Sequence, residues 1–276
     1  MTPVLKLAAF LGVLAVVFGA AALAGAGIGP EPERAAATDE HGAMPAVADP
    51  VRGLAVADDG LRVVVDEPEL ARGREQTLRF RVVDDRGATV RDFDVEHERR
   101  MHLIVARRDL TGFQHLHPEQ AADGSWSTPV RLDAAGSYRM FADFSHGGEA
   151  QTLATDLRVD GATDLEDLPA PATTAVSDGG YDVRLDAGAS APGEEAHLRF
   201  QIRSRGKPVR TEPYLGAGGH LVALREGDLA FLHVHPLSDD AVEFGATFPT
   251  AGRYRLFLQF QHDGHVQTVA FTHEVR

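Results

Sequence analysis

One stretch of this sequence is written twice. Leu78-Arg79-Phe80 returns as Leu198-Arg199-Phe200, Arg86-Gly87 as Arg205-Gly206 and Val90-Arg91 as Val209-Arg210. Further on, Tyr138-Arg139-Met140-Phe141 returns as Tyr254-Arg255-Leu256-Phe257, and Gln151-Thr152 as Gln267-Thr268. Spacings between these landmarks drift by only a few residues, so two copies of one unit are expected, with slightly different loops. A chain of 276 residues has room for that, each half being long enough to bury its own core.

Within each copy, short β-rich runs alternate with Gly, Pro and Asp turns, and no amphipathic helix exceeds a turn or two. In the first copy, strands are expected near 61–66, 77–84, 100–107, 112–117, 126–132, 136–144 and 150–159. Seven strands in about 100 residues predict an all-β fold of two tandem β-sandwich domains, immunoglobulin-like or cupredoxin-like. Residues 58–160 form the first repeat and 179–276 the second. Residues 29–57, rich in Ala, Pro, Glu and Asp, read as a flexible tether, and 161–178, around Leu168-Pro169-Ala170-Pro171, as a linker.

Ahead of the tether, Leu7 to Ile28 is an uninterrupted apolar and small-residue run, preceded by Lys6 and followed by Glu31 and Glu33. Its length is close to the ~20 residues that cross a bilayer, so residues 1–28 are expected to be a transmembrane helix. Both domains would then sit outside a single-pass cell-membrane anchor. Ala22-Leu23-Ala24 has the pattern of a cleavage site, which makes secretion after signal removal the alternative.

The absence of cysteine excludes disulfides, thiolate zinc sites, iron–sulfur clusters and blue-copper centres. Any metal must be held by nitrogen and oxygen, with methionine the one soft donor. The formal charge is −14, and no Lys/Arg-rich run could track a phosphate backbone, so nucleic acid is not an expected partner.

The chemistry-bearing feature is a histidine pattern present in both copies. Met101-His102-Leu103 precedes His115-Leu116-His117-Pro118, and Gly219-His220-Leu221 precedes His233-Val234-His235-Pro236, with the same spacing. Side chains alternate along a strand, so His115 and His117 share a face, as do His233 and His235. Two-residue hairpin turns at Arg108-Asp109 and Glu226-Gly227 would set His102 opposite His115 and His220 opposite His233. Each repeat is then expected to gather three imidazoles on one side of one hairpin and to hold one copper or zinc ion. His146 and His262, at the ends of the following strands, are candidate fourth ligands. The bland alternative is that these are hydrogen-bonding strand residues, since duplication copies packing as faithfully as ligation. His41, His97, His197 and His273 lack partners at useful spacing and read as surface or structural, with His41 and Met44 a minor capture pair in the tether.

Met101 to Arg107 with Phe113 to Pro118, and Tyr214-Leu215-Gly216 through Pro236, resemble a family of actinobacterial secreted or membrane-anchored proteins labelled heavy-metal or copper associated. The resemblance covers essentially the whole chain beyond the tether and implies a metal-associated role. A looser similarity connects the chain to β-sandwich copper carriers of the bacterial periplasm. Those use a ligand at the mature amino terminus, which a tethered chain lacks. The expected function is extracytoplasmic binding of Cu(II), or Zn(II) as second choice, for buffering, resistance or handover to an envelope metal-transport partner. The alternatives are a structural or interaction subunit of an envelope complex and, third, a histidine-ligated metalloenzyme. No Glu or Asp sits at a strand-defined place beside the triple in both copies, so no enzyme is expected.

Overall fold

The computed structural model describes residues 51–276, apart from His233, Asp239 and Asp240, together with Phe18. The expected anchor, the tether up to residue 50 and the His41–Met44 pair lie outside the described residues, Phe18 excepted. Among the described residues, no helix is long and apolar enough to cross a membrane.

From residue 51 onward the described chain is all-β, in two repeated halves. The principal strands of the first half are β1 (Leu61–Val65), β2 (Gln76–Asp84), β3 (His102–Arg107), β4 (Gln114–Leu116), β5 (Trp126–Val130), β6 (Gly136–His146) and β7 (Glu149–Val159). Those of the second are β8 (Asp182–Asp186), β9 (Glu195–Ser204), β10 (His220–Arg225), β11 (Phe231–Leu232), β12 (Val234–Pro236), β13 (Glu243–Thr247), β14 (Gly252–His262) and β15 (His265–Val275). In the first half, one sheet runs β1-β2-β5 between two short edge strands, and the other runs β7-β6-β3-β4. The second half repeats this as β8-β9-β13-β12 and β15-β14-β10-β11.

The alternation rule explains which faces are covered. In β2, Leu78, Phe80 and Val82 point inward and are buried, while Arg79 and Arg81 face water. The corresponding β9 alternates the same way through Leu198, Phe200 and Ile202. Each half carries a tyrosine whose hydroxyl donates to the carbonyl four residues earlier, Tyr138 to Ala134 and Tyr254 to Thr250, both at 2.8 Å. Each bond ties the start of a long strand back to the turn before it, at the same place in both halves.

β3 does not alternate: all six of its residues are buried. Leu103 and Val105 pack inside their own sandwich, whereas Ile104 and Ala106 belong to a separate apolar cluster that joins the two halves. Their counterparts Val222 and Leu224 on β10 meet them there, as do Phe141 and Phe257. The two sheets thus pack outer face to outer face, through the same positions on both sides. Phe113 stacks on Phe257 with ring centroids 4.0 Å apart, and the equivalent Phe231 meets the equivalent Phe141 at 5.6 Å, the relation of a pseudo-twofold axis. Leu110 and Leu229, at matching hairpin tips, take left-handed backbone (φ 64° and 60°), which costs a leucine roughly 1–2 kcal/mol. Both side chains are buried in this seam.

A segment ahead of β1 stitches the seam at one edge. Gly53 N–H donates to Thr152 O of β7, and Phe231 N–H of β11 donates to Arg52 O. Gly53 sits at φ +70°, and a Cβ there would lie 2.8 Å from both Phe141 and Phe231, so the stitch requires glycine. At the opposite edge the linker takes the matching place, with Ala172 N–H donating to Thr272 O.

Replacing Tyr254 with Phe removes the bond that ties this ring to the exposed Thr250 turn. The expected loss of unfolding free energy is about 0.5–1.5 kcal/mol. Urea denaturation of the wild type and Tyr254→Phe measures it, and equal midpoints would refute the structural role given to this bond.

Candidate metal centre

The seam also decides where the histidines go. His102 shares the outward face of β3 with Ile104, and His220 shares the outward face of β10 with Val222, so both rings point into the space between the repeats. The β3–β4 ladder pairs Ile104 with His115 and Leu103 with Leu116. This corrects the expected register, in which His102 faced His115 across a two-residue turn. The turn is wider: Arg107 N–H donates to Thr111 O, and the Asp109 carboxylate bonds the Arg107 guanidinium and the Thr111 hydroxyl within it. The slip is two residues, so parity is kept and His102, His115 and His117 still share a face.

Those three side chains form a group able to hold a metal ion, with one ring nitrogen from each lying within 4.8 Å of the others. His102 Nδ1 is 3.0 Å from His115 Nε2. Two nitrogens each 2.0–2.1 Å from one ion would be about 2.9 Å apart at a right angle and about 3.4 Å apart at a tetrahedral edge, so this pair fits a shared cation. The outer nitrogens fix the tautomers. His102 Nε2 lies 3.3 Å from Glu96 O, and His115 Nδ1 lies 2.7 Å from Gln259 Oε1, each an acceptor that calls for an N–H. The inner nitrogens of His102 and His115 are then lone pairs facing each other. His117 Nε2 is buried with no hydrogen-bond partner. Two facing acceptors and a third unpartnered ring nitrogen beside them are costly in a folded protein, and a cation shared by the three rings relieves that cost.

Burial pushes His102 down to about 4, helped by the nearby His117, His97 and Arg99 and opposed by the Glu96 carbonyl. It pushes His115 down to about 3, with the charges His102 and His117 would carry adding to the effect. His117 falls to about 4 through burial and the nearby Arg99, and His220 falls well below its usual value. All four are neutral at physiological pH, the form in which imidazole binds metal. A narrow cleft beside His102 and His220 is walled by these two rings with His97, Arg99, Asp143 and Phe231. Asp143, paired with His102 across β6 and hydrogen-bonded by Thr152 Oγ1 at 2.6 Å, is pushed up to about 6 by burial.

The second repeat does not rebuild the trio. β11 leaves its sheet after Leu232, two positions earlier than its counterpart β4, and the chain continues as β12 against β13 of the other sheet. His235 therefore pairs with Gly245, its Nε2 3.9 Å from Glu195, while His220 remains on β10. The expected meeting of His220 and His235 on one hairpin face is overturned by this change of sheet. His233 lies outside the described residues. His220 instead joins the first repeat's histidines, its ring 5.5 Å from His102 and nearly parallel at 8°, and 4.8 Å from His115.

His146 and His262 stay apart from the cluster. Each lies on the opposite face of its strand from Asp143 or Gln259, and each has its own partner. His146 Nδ1 bonds Asp92 O at 2.7 Å, and His262 Nδ1 meets the Tyr181 hydroxyl at 2.9 Å. Sequence reading passed over His97, whose ring lies 5.9 Å from His220 and 6.2 Å from His102, because it precedes β3 and its place depends on a left-handed turn at His97-Glu98. It also passed over Gln259, which no pairing within its own repeat brings near a histidine of the other.

A family model described as a domain of unknown function, DUF8832, matches residues 55–161 and again 174–276. No curated protein matches the chain. Among solved structures, the adhesin FdeC of Escherichia coli is 14% identical over 80% of this chain and 66% of its own, with a TM-score of 0.28. Salmonella alpha-2-macroglobulin reacted with methylamine is 14% identical over 84% of this chain and 16% of its own, with a TM-score of 0.29. The chain spans just under two thirds of the adhesin and about a sixth of the macroglobulin.

The depressed histidines give the metal-free protein a defined acid response. Unfolded, each has a value near 6.5, and folded, His102 has one near 4. Between these values the unfolded chain binds more protons, so stability is present above about pH 6.5 and is lost as pH falls toward 4. Each such histidine contributes a slope of up to about 1.4 kcal/mol per pH unit across its window. Asp143, raised to about 6, acts in the opposite sense but is one group against four. Urea midpoints of the metal-free chain should fall between pH 6.5 and 4.5, and more steeply than in His102→Phe; a flat profile would contradict the burial assigned to these rings.

Proposed function

From a chain that belongs to the DUF8832 family and carries its domain twice, we propose a metal-binding protein whose two domains together build one tight site for a divalent transition-metal ion. The observation that carries this reading is the convergence of three imidazoles, two of them with their outer nitrogens already engaged and the third, His117, with a buried Nε2 that has no partner. Nitrogen donors without thiolate suit Cu(II) and Zn(II), and the usual order of affinities places Cu(II) first. The net charge of −14 supports cation capture, since an acidic surface raises the local cation concentration.

The role follows from the room available. The cleft beside the cluster has space for a few waters and not for an organic substrate, which supports a carrier or buffer rather than an enzyme. With residues 1–28 as a membrane anchor, the domains would capture the ion on the outer face of the membrane, for buffering, resistance or handover. The actinobacterial, copper-associated resemblance of the histidine segments agrees with that placement.

A packing role for the same histidines is the competing reading, favoured by the 3.0 Å approach of His102 and His115, which also suits a hydrogen bond. Titration calorimetry of the full chain with Cu(II) and Zn(II), paired with elemental analysis after dialysis, separates the two. We expect one tight equivalent per chain. His115→Ala and His117→Ala should each weaken it about 100-fold or more, corresponding to at least about 2.7 kcal/mol, while His146→Ala, His262→Ala and His235→Ala leave it unchanged. Absence of tight binding, or binding indifferent to His115→Ala, would establish packing instead.

A further inference from the structure

The trio belongs to the first repeat, yet the second repeat holds two of its neighbours. Gln259 of β14 places Oε1 2.7 Å from His115 Nδ1, while its own amide nitrogen is 3.3 Å from Thr268 Oγ1, which anchors the side chain to β15. His220 of β10 lays its ring beside those of His102 and His115. No hydrogen-bond partner for the His220 ring is found among the described residues. Both residues stand on the face that packs the repeats together, Gln259 two positions from Phe257 and directly paired with His220.

Resting on the metal-binding reading above, we propose that the ion is a clasp between the two repeats. Gln259 is a positioning residue that holds His115 in the ligating tautomer, and His220 stacks its ring against His102 and His115 from the opposite side. The first repeat alone would lack the acceptor that orients His115 and the ring that packs against His102 and His115. Ion occupancy and docking of the repeats therefore stabilise each other, and by linkage whatever loosens one weakens the other by the same factor.

The seam gives this coupling a physical route. His102 and His220 are equivalent residues of the two repeats, and their nearly parallel rings flank the same pseudo-twofold axis that relates the Phe113–Phe257 contact to Phe231–Phe141. A small opening about that axis separates His115 from Gln259 before it exposes either sandwich core. The backbone bond from Phe231 N–H to Arg52 O crosses the same boundary and reports on it.

The test uses the full chain with Zn(II) as the probe, measuring affinity by calorimetry and hydrogen exchange at the Phe231 amide with and without zinc. Gln259→Leu should weaken binding 10- to 100-fold, as loss of such a supporting contact does, and Gln259→Glu, which keeps an acceptor oxygen, should restore most of it. Phe257→Ala, which touches no ligating nitrogen, should weaken binding at least about fivefold through undocking. Phe271→Leu, in the core of the second sandwich, should change it less than about twofold. Zinc should slow exchange at Phe231. If zinc binds and His115→Ala abolishes binding, yet Gln259→Leu and Phe257→Ala bind as the wild type and exchange is unaltered, the clasp is overturned and the metal-binding function stands. If the wild type binds no zinc, both fall.

Discussion

Two sheets packed on their outer faces are the constraint from which the rest of this structure follows. A sandwich domain ordinarily buries one face of each sheet and wets the other. Here β3 and β10 are covered on both faces, because Ile104 and Ala106 of one repeat are buried against Val222 and Leu224 of the other. Any polar side chain on that shared face must find partners in the seam or stay unsatisfied. His102, His115 and His117 are such side chains, and the seam supplies a carbonyl and an amide for two outer nitrogens while leaving the inner nitrogens of His102 and His115 facing each other with His117 close by.

The duplication makes that arrangement lopsided as well as paired. Identical folds meet through identical positions, so His102 meets His220 and Phe113 packs on Phe257 much as Phe231 packs on Phe141. The symmetry breaks where the strand changes sheets. β4 stays in place through Leu116, keeping His115 and His117 on the seam, whereas β11 ends at Leu232 and carries His235 to the far sheet. Among the described residues, two copies of one motif thus yield one concentrated cluster, with the second copy contributing support from outside.

Much of the fold was legible in the sequence, and the reason is local. Period-two alternation in Leu78-Arg79-Phe80-Arg81-Val82 and its copy, with Gly and Asp turns between runs, needs no knowledge of partners. The shared face of His102, His115 and His117 survived a wrong register because parity is unchanged by a two-residue slip. What could not be read was non-local. The turn at Asp109 is widened by a side-chain cap, the early sheet change after Leu232 depends on pairing with β13, and the meeting of repeats depends on which outer faces are apolar. One signal was present for the last of these. Leu103-Ile104-Val105-Ala106 and Leu221-Val222-Ala223-Leu224 are unbroken apolar runs, and a strand apolar at every position is one buried on both faces. Read that way, the runs beside His102 and His220 would have placed both histidines at an internal boundary.

The central claim is that imidazoles from this seam surround one cation. X-ray absorption at the zinc or copper edge, on the full chain loaded with a single equivalent, tests it most directly. The account predicts a nearest shell of nitrogen at about 2.0–2.1 Å with the outer-shell scattering of at least three imidazole rings. A shell of oxygen without imidazole scattering would mean that the ion sits on the acidic surface and that these histidines only pack.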